Sequence, residues 1–281
     1  MNTKIFLAIL VLALASMACS FDVDLPERVE PGPDVEESIT VSAPKSDDET
    51  RLTISFGAGR LYLSPGADEL VEGTAVYNFP EFKPEIETRD GRVEIKHDDF
   101  KNLINLDDIN NEWDLHLGGA LIDLNINAGA YEGRYELGGL SLTGLTVKDG
   151  AADVELSFSE PNKTEMSVLR YETGASSVTL SGLANANFST LIFSGGAGDY
   201  ELDFSGDLQD DATVRIEAGA GNVQLIIPEE VDAEVTVESA LVNIDHSSGW
   251  SQNGNEYTQK GDGPTLTIIV KMAAGNLTIT D

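Results

Sequence analysis

Gly196-Ala197-Gly198-Asp199-Tyr200-Glu201-Leu202 and Gly219-Ala220-Gly221-Asn222-Val223-Gln224-Leu225 are two copies of one phrase. Each opens on small residues and continues with an apolar side chain at every second place. Successive side chains of an extended chain point to opposite faces, so Tyr200 and Leu202 share one face, as do Val223 and Leu225. Polar residues take the other face. Glycine reaches backbone angles that other residues avoid, and alanine is small enough for the inside of a bend. The phrase therefore reads as a corner followed by a half-buried strand.

Working outward, the same phrase recurs. Gly57-Ala58-Gly59 stands between two alternating runs, Leu52 to Phe56 and Leu61 to Leu63. Gly150-Ala151 leads to Val154 and Leu156, and Gly174-Ala175 leads to Val178 and Leu180. Weaker copies are Ser239-Ala240 before Val242 and Ile244, and Ala273-Ala274-Gly275 before Leu277 and Ile279. The alanines at 151, 175, 197, 220 and 240 are spaced by 24, 22, 23 and 20 residues. A period near 22 residues fits one turn of a β-solenoid, in which each coil stacks on its neighbour. The expected fold class is all-β, a stack of short strands forming a single domain over 51–281. Residues 69–114 interrupt the repeat and are expected to form an irregular cap, because a stack must block its ends. Residues 245–264 are expected to be a polar surface loop. Phe100 to Asn111 has helical spacing at Leu103, Leu106 and Ile109, which fits a short helical turn or a loop.

The N-terminus carries an address. Lys4 precedes an 11-residue apolar run, Ile5 to Ala15, followed by the small residues Ser16 and Ala18. That run is shorter than the ~18–20 residues needed to span a bilayer, so 1–18 reads as a secretion signal. The single cysteine, Cys19, follows directly. Ser16-Met17-Ala18-Cys19 resembles a bacterial lipoprotein box, with Ser16 where leucine is usual, which makes Cys19 the expected lipidation site. Residues 20–50 carry ten acidic residues, two basic ones and four prolines. Such a stretch extends by self-repulsion, so 19–50 reads as a lipidated cysteine and an acidic tether.

Over its 281 residues the chain has 49 acidic against 17 basic residues, a net charge of −32. Phosphate binding needs clustered Lys and Arg, so nucleic acid is not an expected partner. His97, His116 and His246 are far apart in sequence and have no thiol partner, so no metal site is expected. There is no Gly-x-Ser-x-Gly elbow and no phosphate-cradling loop. Gly195 to Leu202 superficially matches a calcium-binding nonapeptide but lacks a residue before Asp199 and reads as a structural corner. Calcium on the acidic coils stays open as loose surface binding. Asp207, Asp210 and Asp211 form a dense cluster, as chance allows at this composition. Paired carboxylates for glycoside hydrolysis are uninformative for the same reason. Trp113 is expected to pack in the core or cap. Trp250, in its polar stretch, is the exposed candidate for stacking on a sugar.

Leu70 to Pro84 (LVEGTAVYNFPEFKP), Asn111-Glu112-Trp113-Asp114-Leu115 and the Gly-Ala-Gly series together resemble the bacterial toast-rack domain family. Leu266 to Ile279 is similar to the C-terminal end of LiaF-like envelope proteins. The resemblance covers roughly 50–281. It implies a right-handed stack of short strands at the cell envelope and supplies no catalytic residues. LiaF-like proteins act as inhibitory partners of a sensor kinase in cell-wall antibiotic stress. They carry N-terminal membrane helices where this chain carries a lipoprotein signal, so that role is not carried over.

The expected function is that of a non-enzymatic, lipid-anchored envelope protein with a structural, adhesive or stress-sensing role. Its membrane contact would be the N-terminal lipid on the extracytoplasmic side. Its partner would be an envelope protein or a glycan, with no cofactor. The rival is a surface carbohydrate-binding protein or a polysaccharide-cleaving β-helix, which would show a cleft with converging carboxylates, bases and aromatics.

Overall fold

The computed structural model describes residues 30–45, 48–98 and 109–281. It is nearly all β, and the strands among the described residues join in a single sixteen-stranded sheet. Its centre is a stack of long parallel strands: β2 (Thr50–Pro65), β7 (Leu121–Glu136), β10 (Met166–Ser181), β11 (Phe188–Asp203), β12 (Ala212–Ile226), β13 (Asp232–His246) and β16 (Thr265–Thr280). Alternating burial runs along a first arm, stops at the Gly-Ala corner and resumes along a second arm, as β11 and β16 show. Between β7 and β10 the two arms are separate strands, β8 (Ser141–Asp149) and β9 (Ala151–Ser157).

Register turns the repeated phrase into columns. Ala58 pairs with Ala130, Ala130 with Ala151, Ala175 with Ala197, Ala197 with Ala220 and Ala220 with Ala274. On the first arm Leu52, Leu124, Leu145, Leu169, Leu191, Val214, Ile268 and Val235 stack in order, each at most 1% exposed. On the second arm Leu156, Leu180, Leu202, Leu225 and Ile279 do the same. Burying a leucine side chain contributes about 1.5–3 kcal/mol, so these columns are the main stabilising feature.

The order of rungs departs from chain order. β16 lies between β12 and β13, pairing with both in parallel. The 20-residue step from Ala220 to Ala240 is therefore not a step between stacked neighbours. The cause lies at the corner. A Cβ at Gly221 would sit 1.8 Å from the carbonyl oxygen of Gly198, and one at Gly275 would sit 1.8 Å from that of Gly221. Both glycines have strongly positive φ, 138° and 132°. On this backbone the rung stacked on β12 has glycine at the corner, which β16 supplies; β13 has Val242 at that register and takes the end position. Ala130, in Asn127-Ala128-Gly129-Ala130, is a corner that the sequence reading did not pick out.

Both excursions from the repeat are strands. In the 69–114 segment, β3 (Val71–Tyr77), β4 (Glu85–Arg89), β5 (Arg92–Lys96) and β6 (Asn111–Leu117) cover the first end. β5 lies beside the first arm of β2 and β6 beside the second, so together they make a split rung. The expected cap is thus strand-built. The expected polar loop at 245–264 is corrected too: β14 (Ser251–Asn253) and β15 (Glu256–Gln259) form a hairpin on the first arm of β13. The tether also ends earlier than expected. β1 (Val35–Val41) pairs antiparallel with β3 and buries Ile39 and Val41. Its alternation, Ile39-Thr40-Val41, was masked by the acids around it. Residues 1–29, including the expected signal, Cys19 and the start of the expected tether, lie outside the described residues, as do 46–47 and 99–108, the last holding most of the expected helical turn.

Candidate functional site

The residues singled out by sequence do not converge. Trp250 is only 5% exposed and belongs to the core, which corrects the expectation of a solvent-facing ring. The turn that carries it folds back onto the last rungs: the Ser247 N–H donates to the Ile279 carbonyl and the Trp250 N–H to that of Ser247. Trp113 is fully buried, its ring edge-on to Phe56 at 5.2 Å. His97 Nε2 accepts from the Gly57 N–H at 2.7 Å, His116 Nδ1 lies 2.7 Å from Ser64 Oγ, and His246 packs on Tyr257. No group of three or more His, Cys, Asp or Glu among the described residues is placed to hold a metal ion. In the acidic cluster, Asp207 accepts from Gln209, and Asp211 accepts from the Thr265 N–H. Both fix connections between rungs. At Gly195 a Cβ would come 2.5 Å from the ring of Tyr200, so this glycine makes room for a core phenol. That is the role its corner position demands.

The surface that the fold does assemble is the outer wall of the second arm. Parallel register brings every second residue of each rung into a column. One column runs Arg60, Glu132, Asp153, Ser177, Asp199, Asn222, Asn276, Asn243. Its first half is ionic: Arg60 bonds Glu112 at 2.7 Å, and Arg134 in the adjacent column reaches Glu132 and Asp153 at 3.0 Å and Glu155 at 3.6 Å. Its second half is an amide ladder. Asn222 donates to Asp199 at 2.6 Å, Asn276 to Asn222 at 2.6 Å and Asn243 to Asn276 at 3.1 Å. Asn222 and Asn276 each donate and accept along the stack and Asn243 donates at its end, which matches the polar ladders of cross-β assemblies. The ladder borders a shallow groove of about 550 Å³ lined by Thr179, Glu201, Gln224, Asp245 and Thr278 among others. At the groove the one aromatic among the lining residues is Tyr200, itself 2% exposed, while Tyr62 lies outward on this arm at the β2 end, in register with Asp114 and Arg134.

Inside the corner lies a polar cluster that sequence reasoning missed. Asp149 occupies an inward place at the break between β8 and β9. Tyr171 donates to it at 2.7 Å, and Thr173 also donates to it; Ser176 accepts from the Ala152 N–H at 2.9 Å. Tyr135 donates to Tyr131 at 3.0 Å. Gly133 makes the space: a Cβ there would lie 2.8 Å from the Tyr131 ring and 2.9 Å from the Tyr135 hydroxyl. Burial pushes Tyr131, Tyr135 and Tyr171 well above the ordinary phenol value, because a phenolate there would lose its water. These groups stay neutral hydrogen-bonding partners across the physiological range. The available signal was Asp149-Gly150 at a corner where the other copies carry small or apolar residues.

Comparison with known proteins bears on the fold. No curated protein matches the sequence. A protein from Clostridium sporogenes, named as a proposed cell adhesion protein, aligns over 89% of this chain and 99% of its own, with 20% identity and a TM-score of 0.49. A proposed adhesin from Bacteroides fragilis aligns over 88% and 97%, with 9% identity and a TM-score of 0.33. A proposed lipid-binding protein from Parabacteroides distasonis aligns over 89% and 99%, with 12% identity and a TM-score of 0.35. Likenesses this distant carry no functional argument. The profile for the N-terminal domain of toast_rack, DUF2154, matches residues 30–181 and 165–226, which together span most of the chain and the whole run from β1 to β12. On that match, and on the stacked Gly-Ala corners that explain it, the chain belongs to the toast-rack family.

Proposed function

We propose that this protein is a non-enzymatic envelope module, lipid-anchored through Cys19 on the extracytoplasmic side of a bacterial membrane. Its right-handed β-solenoid would present a binding wall for adhesion or for sensing the state of the envelope. The observation that carries this reading is the outer wall of the second arm. It is a repetitive polar surface held in register. Such a wall suits an extended partner contacted at many equivalent points more than a small substrate held at one. The acidic composition of the stretch before β1 supports the anchoring part, since a self-repelling sequence suits a spacer between lipid and domain.

Two measurements test the two halves. Labelling with a radioactive fatty acid should mark the wild-type chain and not Cys19→Ala; equal labelling would refute the anchor. Pull-down from envelope extract with the full chain should recover a protein partner that Asn222→Lys weakens. Recovery of glycan alone would overturn the protein-binding reading and assign the wall to carbohydrate.

A further inference from the structure

The two ends of the stack are finished differently. At the first end β4 closes the first-arm side, while β3 and β1 close the second-arm side. At the last end the hairpin β14–β15 covers β13 only from Ala233 to Thr236, with Asn255 bonding Val237 beyond it. From Leu241 to His246, β13 is paired with β16 on one side and with no strand among the described residues on the other. Leu241 is 75% exposed, the most open of the large apolar residues described, and Val242 and Ile244 are only partly buried. An unpaired strand edge of this kind is a template for strand addition.

We infer that the second arm of β13, Leu241 to His246, is a docking edge for an extended segment of another protein that carries a basic side chain opposite Asp245. Three features define the occupant. The amide column ends at Asn243, so the incoming strand would continue it with Asn, Ser or Thr. Val242 and Ile244 need apolar side chains on the core-facing side. The charges at this end, Glu238 and Asp245, are acidic, and the nearby Lys271 is already bonded to Glu238 at 3.1 Å. A second copy of this chain fits less well. The edge it would bring is β1, which runs in the right direction but carries Glu36 and Glu37 on a chain of net charge −32. This inference rests on the strand pairing and not on the anchor at Cys19, so either can fail without the other.

The probe is a labelled octapeptide copying residues 273–280 with Thr278→Lys, because that segment already pairs with this arm from the other side. It should bind the full chain saturably and slow backbone hydrogen exchange over 238–246. The same peptide with Thr278→Glu should bind about fivefold more weakly, the size of one exposed ion pair. Asp245→Lys, an exposed change, should reverse that preference. Absence of binding, protection at 35–41 instead of 238–246, or an unchanged preference in Asp245→Lys would each overturn the docking edge. Concentration-dependent self-association abolished by Asp245→Lys would overturn the choice of partner in favour of a second copy.

Discussion

Across the second arm, the rungs β2, β7 and β9 and the rungs β11, β12, β16 and β13 solve one problem in two ways. Both place a column of polar side chains at the spacing of adjacent strands, where like charges would repel. The first half interleaves arginines, so that Arg134 alone meets three carboxylates. The second half replaces charge by amides that donate along the stack and end on Asp199. The backbone beneath differs in step. At the inward place just past the corner, β7, β9 and β10 carry Tyr131, Ala152 and Ser176, whereas β11, β12 and β16 carry Gly198, Gly221 and Gly275; the end rungs depart from this, with Gly59 in β2 and Val242 in β13. Between the ends, β11, β12 and β16 bring backbones into contact where β7, β9 and β10 have side chains.

The largest expected effect tests that backbone difference. Gly221→Ala puts a Cβ into the Gly198 carbonyl at a φ that L-residues avoid, and should cost about 3 kcal/mol or more, or prevent folding. Ala152→Gly, the matching change in the ionic half, should cost about 1 kcal/mol or less. Denaturant unfolding of both variants checks the contrast, and equal costs would break it. The core beneath should not distinguish the halves. Leu225→Ala and Leu156→Ala, each about 1% exposed or less, should both lose about 2–5 kcal/mol by the same measurement.

Smaller effects separate the two walls. Arg134→Ala should cost about 1 kcal/mol in dilute buffer and less at 1 M salt, because its partners are exposed and screened. Asn222→Ala should cost about 0.5–1.5 kcal/mol with little salt dependence, since its side chain bonds one neutral amide and one carboxylate. Thermal unfolding at two ionic strengths discriminates them. The smallest effect at neutral pH comes from the corner phenols. Their folded pKa is raised, so their contribution is complete below the ordinary phenol value of about 10 and is lost only as pH climbs above it. Absorbance titration should show Tyr131, Tyr135 and Tyr171 ionising together with unfolding.

Much of this fold is legible in the sequence because its signal is local. A corner phrase with alternation on both sides marks nearly every rung, and the inward leucines follow directly. Three things were hidden because they depend on which rungs become neighbours. β1 was obscured by Glu36 and Glu37, whose charge argued for a spacer although Ile39 and Val41 alternate as a strand does. The position of β16 depends on a clash between backbones that no single segment reveals. The wall was invisible as a site because Asp199, Asn222, Asn276 and Asn243 are an unremarkable acid and three scattered amides until register aligns them. Trp250 misled for the opposite reason: its polar neighbours suggested solvent, while the ring turns inward against the core.

The place of β16 also fixes when the molecule can be finished. β12 and β13 share no ladder; each is joined to the other only through the last sixteen-residue strand. A chain crossing a membrane from its N-terminus would have made every other rung before this keystone emerged, and would hold an open gap until it did. Assembly therefore ends with an insertion and not with an addition. A chain cut short before Thr265 would lose the joint between β12 and β13.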